Sequence, residues 1–353
     1  MKKNKIWFYL MNFLIVLVVS ALTIYKIVGE NGKETLLYLS ELSVFSIVVL
    51  TTVFLVNYFL EGLIISFSIK EYEKDFTPVN GFAVHSVGGL FSAITPLKSG
   101  YLPSIAYTYS KYDVKAESII KSMAKTSLPY QLVCFLVNIV AVIIFSANNQ
   151  FIEIGGLELS LLTVSLIGLV YNIVLMAGYF VLILSPWLHH IVIKVIAYLL
   201  FETKQIKDKD QYVNDKTYKM KLIRDQLKMF FKNIKQFVLL CLLYVIRISI
   251  YSSLPYISYL LLSKTSFSVE IWLFSIVLCN LISYITNIIP IPGASGTAEI
   301  VFLAVFGVVF NESVLTSTML VWRIFSYFIH IIVGFIVFMF MLNYKKKRIN
   351  LIQ

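Results

Sequence analysis

The sequence is short of charged residues, of cysteines and of catalytic motifs. Charged side chains make up 14% of its 353 residues, whereas a soluble globular domain carries about 25%. The three cysteines, Cys134, Cys241 and Cys279, are odd in number and far apart, so they indicate neither a metal site nor a disulfide framework. The chain has no P-loop, HExxH or GxSxG motif. We therefore expect a protein that is not an enzyme and uses no cofactor.

Long apolar segments, by contrast, recur along the whole chain, and hydrophobic residues make up 59% of it. A segment of about 20 apolar residues is long enough to cross a bilayer. These observations predict an all-α polytopic membrane protein with a single integral membrane domain over 1–353. The predicted full spans are 6–28, 42–66, 121–147, 159–185, 237–263 and 314–342.

The net charge of +11 is distributed in a pattern typical of membrane topology. Basic residues precede the first span, follow the last span at 345–348, and outnumber acidic residues ten to five in 202–235. Because basic residues collect on the cytoplasmic side, we predict a cell-membrane protein with cytoplasmic N- and C-termini and a cytoplasmic basic loop at 202–235. That loop either contacts anionic lipid headgroups or is a solvated connector. No nucleic-acid partner is expected, and a homo-oligomer is compatible with the sequence.

Two further apolar regions, 82–109 and 270–310, are interrupted by proline and glycine. Since proline removes a backbone donor and glycine weakens a helix, each region should form two half-helices that meet at a break. The interruptions are Gly88-Gly89, Thr95-Pro96, Gly100 and Pro103 in the first region, and Pro290, Pro292, Gly293 and Gly296 in the second.

Basic residues flank both ends of 82–109, which predicts a re-entrant hairpin with both ends in the cytoplasm. Counting the spans then makes 270–310 a hairpin that enters from outside. The chain would be an inverted repeat, with one half at about 1–150 and the other at about 151–353. A topology in which 296–311 is a complete eighth span satisfies the charge rule equally well.

The two breaks predict a binding site for an anionic group, since a helix that starts inside the protein presents free N–H groups and a partial positive charge. Charged residues at membrane depth are usually paired or line a cavity. The apolar segments contain two acidic residues, Glu61 and Glu299, and three basic ones, Lys98, Arg247 and Arg323. This count predicts two ion pairs and one remaining cation. Glu299 should pair with Arg323 or with Arg247. The candidate substrate-binding residues are Thr95, Pro96, Lys98, Ser99, Gly100, Arg247, Pro290, Pro292, Gly293, Ser295, Gly296, Glu299 and Arg323. The sequence also suggests a proton-coupled role for His85 and His330.

At these breaks the sequence resembles the flippase-like transmembrane family, which is the membrane region of lysylphosphatidylglycerol synthases, or multiple peptide resistance factors. The resemblance rests on ITPLKSG at 94–100 and on PIPGASGTAEIVFLAVFG at 290–307. It implies functional roles for Thr95, Pro96, Gly100, Pro290, Pro292, Gly293, Gly296 and Glu299.

The chain departs from the family pattern in having Gly100-Tyr101 where relatives often have a glycine pair. We expect a stand-alone member without the soluble aminoacyl-transferring domain of the full-length synthases, so the resemblance implies the translocating part alone. The leading hypothesis is the flipping of a phospholipid, an aminoacylated phospholipid or a lipid-linked intermediate. The alternatives are a membrane-embedded lipid-modifying transferase or accessory subunit, and a transporter of small solutes or ions.

Overall fold

The computed structural model describes residues 35–148, 150–203 and 205–344, together with isolated positions between 18 and 33. In this part of the chain, six helical segments are long and apolar enough to cross a membrane. The predicted all-α polytopic membrane fold is confirmed. The predicted span 6–28 lies almost entirely outside the described residues, and the basic residues 345–348 lie wholly outside them.

The helices follow one another with short connections, apart from one small β-hairpin. Their bounds are α1 Val44–Ile69, α2 Pro78–Ala93, α3 Tyr101–Lys111, α4 Ala116–Ala147, α5 Leu161–Leu184, α6 Pro186–Glu202, α7 Lys209–Lys232, α8 Ile234–Ser252, α9 Leu254–Ser263, α10 Val269–Ile288, α11 Thr297–Phe306, α12 Glu312–Arg323 and α13 Ile329–Asn343. The antiparallel strands β1 Phe151–Ile154 and β2 Leu157–Ser160 join α4 to α5. Residues Ile324–Phe328 form a π-helical segment between α12 and α13.

Hydroxyl side chains fix the starts of the first two helices. The Ser43 hydroxyl accepts a hydrogen bond from the Ser46 N–H at the start of α1, and the Thr77 hydroxyl does the same for the Asn80 N–H at the start of α2. Such caps satisfy amide groups that have no partner inside the helix. The 26 residues of α1 give a length of about 39 Å at 1.5 Å per residue, more than the hydrocarbon thickness of a bilayer.

The two ends of the first interrupted region lie together at one end of the bundle, which we call the Phe76 end. The Phe76 ring, just before α2, is 5.5 Å from the Tyr109 ring in α3 and 5.7 Å from the Tyr112 ring just after it. The Tyr112 ring also lies 5.2 Å from the Tyr344 ring, just after α13. The helices α2 and α3 therefore form a hairpin whose two ends share the end of the bundle where α1 and α13 finish.

The two ends of the second interrupted region meet at the opposite end of the bundle, which we call the Tyr256 end. The Tyr256 ring lies 5.6 Å from Phe267, just before α10, and 6.5 Å from Phe310, just after α11. An ion pair of 2.7 Å joins Lys264 at this end to Glu41, which precedes α1. The helices α10 and α11 thus form a second hairpin that enters the bundle from the end where α1 begins.

Helix boundaries repeat along the chain at a nearly constant interval. The helix after each break begins at Tyr101 and at Thr297, and the long helix that follows begins at Ala116 and at Glu312. Each of these pairs is separated by 196 residues. A hairpin followed by a long helix thus occurs twice in the described residues.

The structure corrects several details of the predicted layout. Helix α2 continues through Gly88 and Gly89 without interruption. A Cβ atom at either position would overlap a neighbouring side chain, so these glycines make room for their neighbours and do not break the helix. The first arm of the second hairpin, Val269–Ile288, has 20 residues and is not a half-helix. Its second arm, Thr297–Phe306, has ten residues, about 15 Å, which is too short for the alternative complete span at 296–311.

The segments between α5 and α8 also differ from the sequence interpretation. Most of the predicted basic loop 202–235 is the helix α7, which packs against α4 and α6. The Tyr218 hydroxyl of α7 donates to Glu117 Oε1 of α4 at 2.7 Å. The apolar segment before it forms the helix α6. The β-hairpin between α4 and α5 had no counterpart in the sequence interpretation.

Candidate functional site

The two breaks have a similar backbone conformation directly after the proline and differ at the glycine before the next helix, where φ is −75° at Gly100 and 88° at Gly296. In each, a proline is followed by two residues with positive φ, Leu97 (50°) and Lys98 (55°) in the first and Gly293 (62°) and Ala294 (47°) in the second. A serine and a glycine then lead into the next helix. Positive φ is unusual for residues other than glycine and is retained where the surrounding structure requires it. Both halves of the chain therefore contain a break with this unusual pair of positive φ angles.

Side chains within each break hold the start of the following helix. At the first break, Thr95 Oγ1 accepts a hydrogen bond from the Gly100 N–H at 2.8 Å and donates to the Phe91 carbonyl oxygen. At the second break, Glu299 Oε2 accepts from the Gly296 N–H at 2.8 Å. These two amides are bonded within the protein. Each amide belongs to the residue directly before its helix, and neither is free to receive an anion.

The two breaks contact each other. Lys98 Nζ of the first break donates to Asn287 Oδ1, at the end of α10, at 2.6 Å. The Tyr327 hydroxyl of the π-helical segment donates to the Ala93 carbonyl oxygen at 3.2 Å, and the same ring stacks under the Arg323 guanidinium at 4.0 Å. Helix α2, the second break and the π-helical segment therefore meet at one place.

Two ion pairs lie near this place, one fully buried and one partly buried. Arg323 Nε donates to Glu299 Oε1 at 2.8 Å, with the two side chains 6% and 0% exposed. Arg247 Nε lies 2.8 Å from Glu61 Oε2, but the N–H is not directed at that oxygen, so this contact is an ion pair without a hydrogen bond between those atoms. Lys98 is the third cation, and a neutral amide accepts its bond. The predicted arrangement of two pairs and one remaining cation is confirmed, with Glu299 paired to Arg323.

A cavity of about 330 Å³ lies between the two breaks. Its wall includes the exposed side chains of Leu97, Lys98 and Ile291 at the breaks, and the buried side chains of Asn57 and Ser252 on α1 and α8. The cavity therefore extends from an accessible region at the breaks into the core of the bundle. Its volume falls within the roughly 300–1,000 Å³ typical of sites for small ligands.

Five of the predicted site residues line this cavity: Thr95, Lys98, Arg247, Gly293 and Arg323. The others shape the breaks without forming its wall. Ser99 and Pro290 are exposed, whereas Gly100 and Ser295 are buried. Glu299 is fully buried behind Arg323. The predicted residues outside the cavity wall are Pro96, Ser99, Gly100, Pro290, Pro292, Ser295, Gly296 and Glu299.

Several polar residues of the cavity wall were not among the predicted site residues. Asn280, Ser283 and Asn287 lie on one face of α10 and all line the cavity. Their spacing of three and four residues is the signal that sequence reasoning missed, because polar residues at this interval share one helix face. Asn57 and Ser326, single polar residues within apolar helices, carry no comparable pattern.

The two histidines singled out in the sequence also line the cavity. The rings of His85 and His330 are 5.7 Å apart in an edge-to-face arrangement. The Tyr58 ring lies 4.7 Å from the first and 4.9 Å from the second. The two histidine rings thus line the cavity, and the Tyr58 ring of α1 packs against both of them.

Comparison with known proteins agrees with the motifs at the breaks. The family model described as the lysylphosphatidylglycerol synthase TM region matches residues 10–334, which include both hairpins and the whole cavity wall. No curated protein matches the chain.

Proposed function

Because the chain belongs to the lysylphosphatidylglycerol synthase TM region family, we propose that it moves a phospholipid, an aminoacylated phospholipid or a lipid-linked intermediate across the cell membrane. In this proposal the polar headgroup passes through the cavity between the two breaks. The acyl chains remain in the surrounding lipid. The protein acts as a translocator and not as an enzyme.

The observation that carries the proposal is the convergence of the two breaks at a charged cavity inside an apolar bundle. Lys98, Arg247 and Arg323 line this cavity, although a charged residue at the centre of a membrane helix costs about 2.5–3.5 kcal/mol on insertion scales. Such residues commonly mark a pathway for a charged substrate. A phosphate group is a suitable partner, since arginine and lysine are the side chains that bind it most often.

The layout of the hairpins supports an alternating mechanism. One hairpin has its ends at the Phe76 end of the bundle and the other at the Tyr256 end, and their breaks meet between them. In transporters built from inverted repeats, rocking of one repeat against the other exposes a central site to each side in turn. We propose that the Phe76 end and both termini are cytoplasmic, so that each hairpin controls access from one side.

The direct test is a flipping assay with purified protein in liposomes. Lipids with a fluorescent acyl chain and different headgroups are incorporated, and dithionite quenches those in the outer leaflet. We expect the protein to accelerate the exchange of at least one headgroup class above the rate in protein-free vesicles. Equal rates with and without protein, for every headgroup, would contradict the proposal.

The same vesicles distinguish the alternatives. A transporter of small solutes or ions would take up a water-soluble substrate and leave the lipid exchange rate unchanged. A lipid-modifying transferase would form a new lipid product from donor and acceptor. We expect neither outcome, and mass spectrometry of the extracted lipids together with solute uptake measures both.

A further inference from the structure

Cationic side chains line the wall of the cavity, whereas the carboxylates that pair with two of them lie behind the wall. Three cationic side chains, Lys98, Arg247 and Arg323, line it, and no Asp or Glu does so among the described residues. The two acids that pair with the arginines are placed behind them, with Glu299 0% and Glu61 11% exposed. A ligand in the cavity therefore meets the cationic partner of each pair.

The wall also presents buried polar atoms that make no hydrogen bond to any described residue. They are Asn57 Oδ1, both ring nitrogens of His85, Trp322 Nε1 and Ser326 Oγ. The side chains of Asn57, His85 and Trp322 belong to residues only 5–8% exposed, and all four residues line the cavity. Buried polar groups are nearly always hydrogen-bonded in folded proteins, so each of these atoms calls for a partner.

These two properties favour one chemical class of headgroup. A phosphate is matched by the three cations, and hydroxyl groups are matched by the neutral donors and acceptors of Asn57, His85, Trp322 and Ser326. An ammonium group is disfavoured, because it would lie among like charges with no carboxylate to receive it. The wall is therefore complementary to an anionic headgroup and not to a cationic one.

Building on the proposed function, we infer that the lipid moved by this protein carries a phosphate and hydroxyl groups and no amine. Phosphatidylglycerol has this chemistry, and so does a polyprenyl-linked sugar phosphate. Lysyl-phosphatidylglycerol, whose aminoacyl group makes the headgroup cationic, is a poor substrate.

The flipping assay separates this inference from the proposed function when three acyl-labelled lipids are compared: phosphatidylglycerol, a polyprenyl-phosphate sugar and lysyl-phosphatidylglycerol. We expect one of the two anionic lipids to exchange about tenfold faster than the cationic one, since like-charge contacts suppress the wrong partner. The faster of the two anionic lipids identifies the source of the phosphate. Equal rates, or a faster cationic lipid, overturn the inference and leave the translocator intact. No acceleration of any lipid overturns both.

A single substitution tests the cause of the preference. Asn287→Asp places a carboxylate next to Lys98 Nζ, where the amide oxygen now lies at 2.6 Å. We expect the ratio of anionic to cationic exchange rates to fall about tenfold in this variant, because one wall charge is neutralised. The matched control is Asn148→Asp, at the exposed end of α4 outside the cavity, with an unchanged ratio. An unchanged ratio in Asn287→Asp overturns the inference.

Binding to the wild-type protein provides a readout that does not depend on a folded variant. Detergent-solubilised protein is heated with either phosphatidylglycerol or lysyl-phosphatidylglycerol, and the melting temperature is recorded. A ligand that binds only the native state raises that temperature. We expect a larger rise with the anionic lipid, and a larger rise with the cationic lipid overturns the inference.

Discussion

Arg323 of α12 and Glu299 of α11 form a buried ion pair. Arg323 Nε donates to Glu299 Oε1 at 2.8 Å, and Arg323 Nη2 donates to the Gly293 carbonyl oxygen at 2.9 Å. The other carboxylate oxygen of Glu299 accepts from the Gly296 N–H. One ion pair therefore fixes the second break from both of its ends and holds Arg323 in the cavity wall.

Removal of this carboxylate should destabilise the fold. In Glu299→Gln the buried guanidinium of Arg323 loses its ionic partner, and breaking a buried pair in this way costs about 3–5 kcal/mol. Thermal unfolding in detergent or nanodiscs measures the loss. The matched control is Glu41→Gln, which breaks the exposed pair with Lys264 and should cost about 1 kcal/mol or less. Equal stability of the two variants would show that the pair has no structural role.

Gly89 is required by the close approach of α13. A Cβ atom at this position would overlap His330 Nε2. We expect Gly89→Ala to lower the stability by about 1–3 kcal/mol, the usual cost of overpacking a core. In the His330→Ala background the same substitution should become neutral or stabilising. The matched control is Gly178→Ala in α5, where no atom lies within 4 Å of the added carbon. A loss at Gly89 that persists in the His330→Ala background would rule out this contact as the cause.

The hydroxyl groups of Tyr58 and Tyr256 have different surroundings, which predict a ligand-binding role for the first and a structural role for the second. The Tyr58 hydroxyl has no hydrogen-bond partner among the described residues, whereas the Tyr256 hydroxyl accepts from the Ser268 N–H at 2.6 Å. We expect Tyr58→Phe to preserve the melting temperature and to lower lipid exchange. Tyr256→Phe should lose about 1 kcal/mol of stability, the typical net value of a hydrogen bond, with lipid exchange unchanged. The reverse pattern would contradict a ligand role for the Tyr58 hydroxyl.

The sidedness of the first hairpin can be measured by labelling single cysteines in intact cells. Asp75 precedes α2 and Asp113 follows α3, so both should lie on one face of the membrane if the hairpin is re-entrant. Gly155, in the turn of the β-hairpin after α4, should lie on the opposite face. We expect an impermeant maleimide to label Gly155→Cys from outside and neither Asp75→Cys nor Asp113→Cys. Labelling of one but not the other of the two aspartate positions would show that this region crosses the membrane.

The sequence was sufficient to predict most of the long apolar helices, the two breaks and the pairing of charges, because hydrophobic runs, prolines and costly buried charges are local signals. The helix α7, by contrast, was predicted as a loop. The cavity wall was harder to predict. Asn57 and Ser326 are brought to it only by the packing of α1 against the π-helical segment, and this tertiary arrangement leaves no trace in local sequence. The continuous helix through Gly88 and Gly89 shows the same limitation, since glycines that break a helix and glycines that admit a neighbour look alike in the sequence.

The central claim, that a headgroup passes between the two breaks, is tested most directly by blocking the cavity in a protein that is otherwise unchanged. Asn287→Cys, in a background with the three native cysteines replaced by alanine, is treated with a bulky, membrane-permeant maleimide after reconstitution. Leu273→Cys, 51% exposed on the outer face of the same helix, is the control. We predict that modification at position 287 reduces lipid exchange to the protein-free rate and that modification at position 273 leaves it unchanged. Full exchange by the protein modified at position 287 would contradict the account.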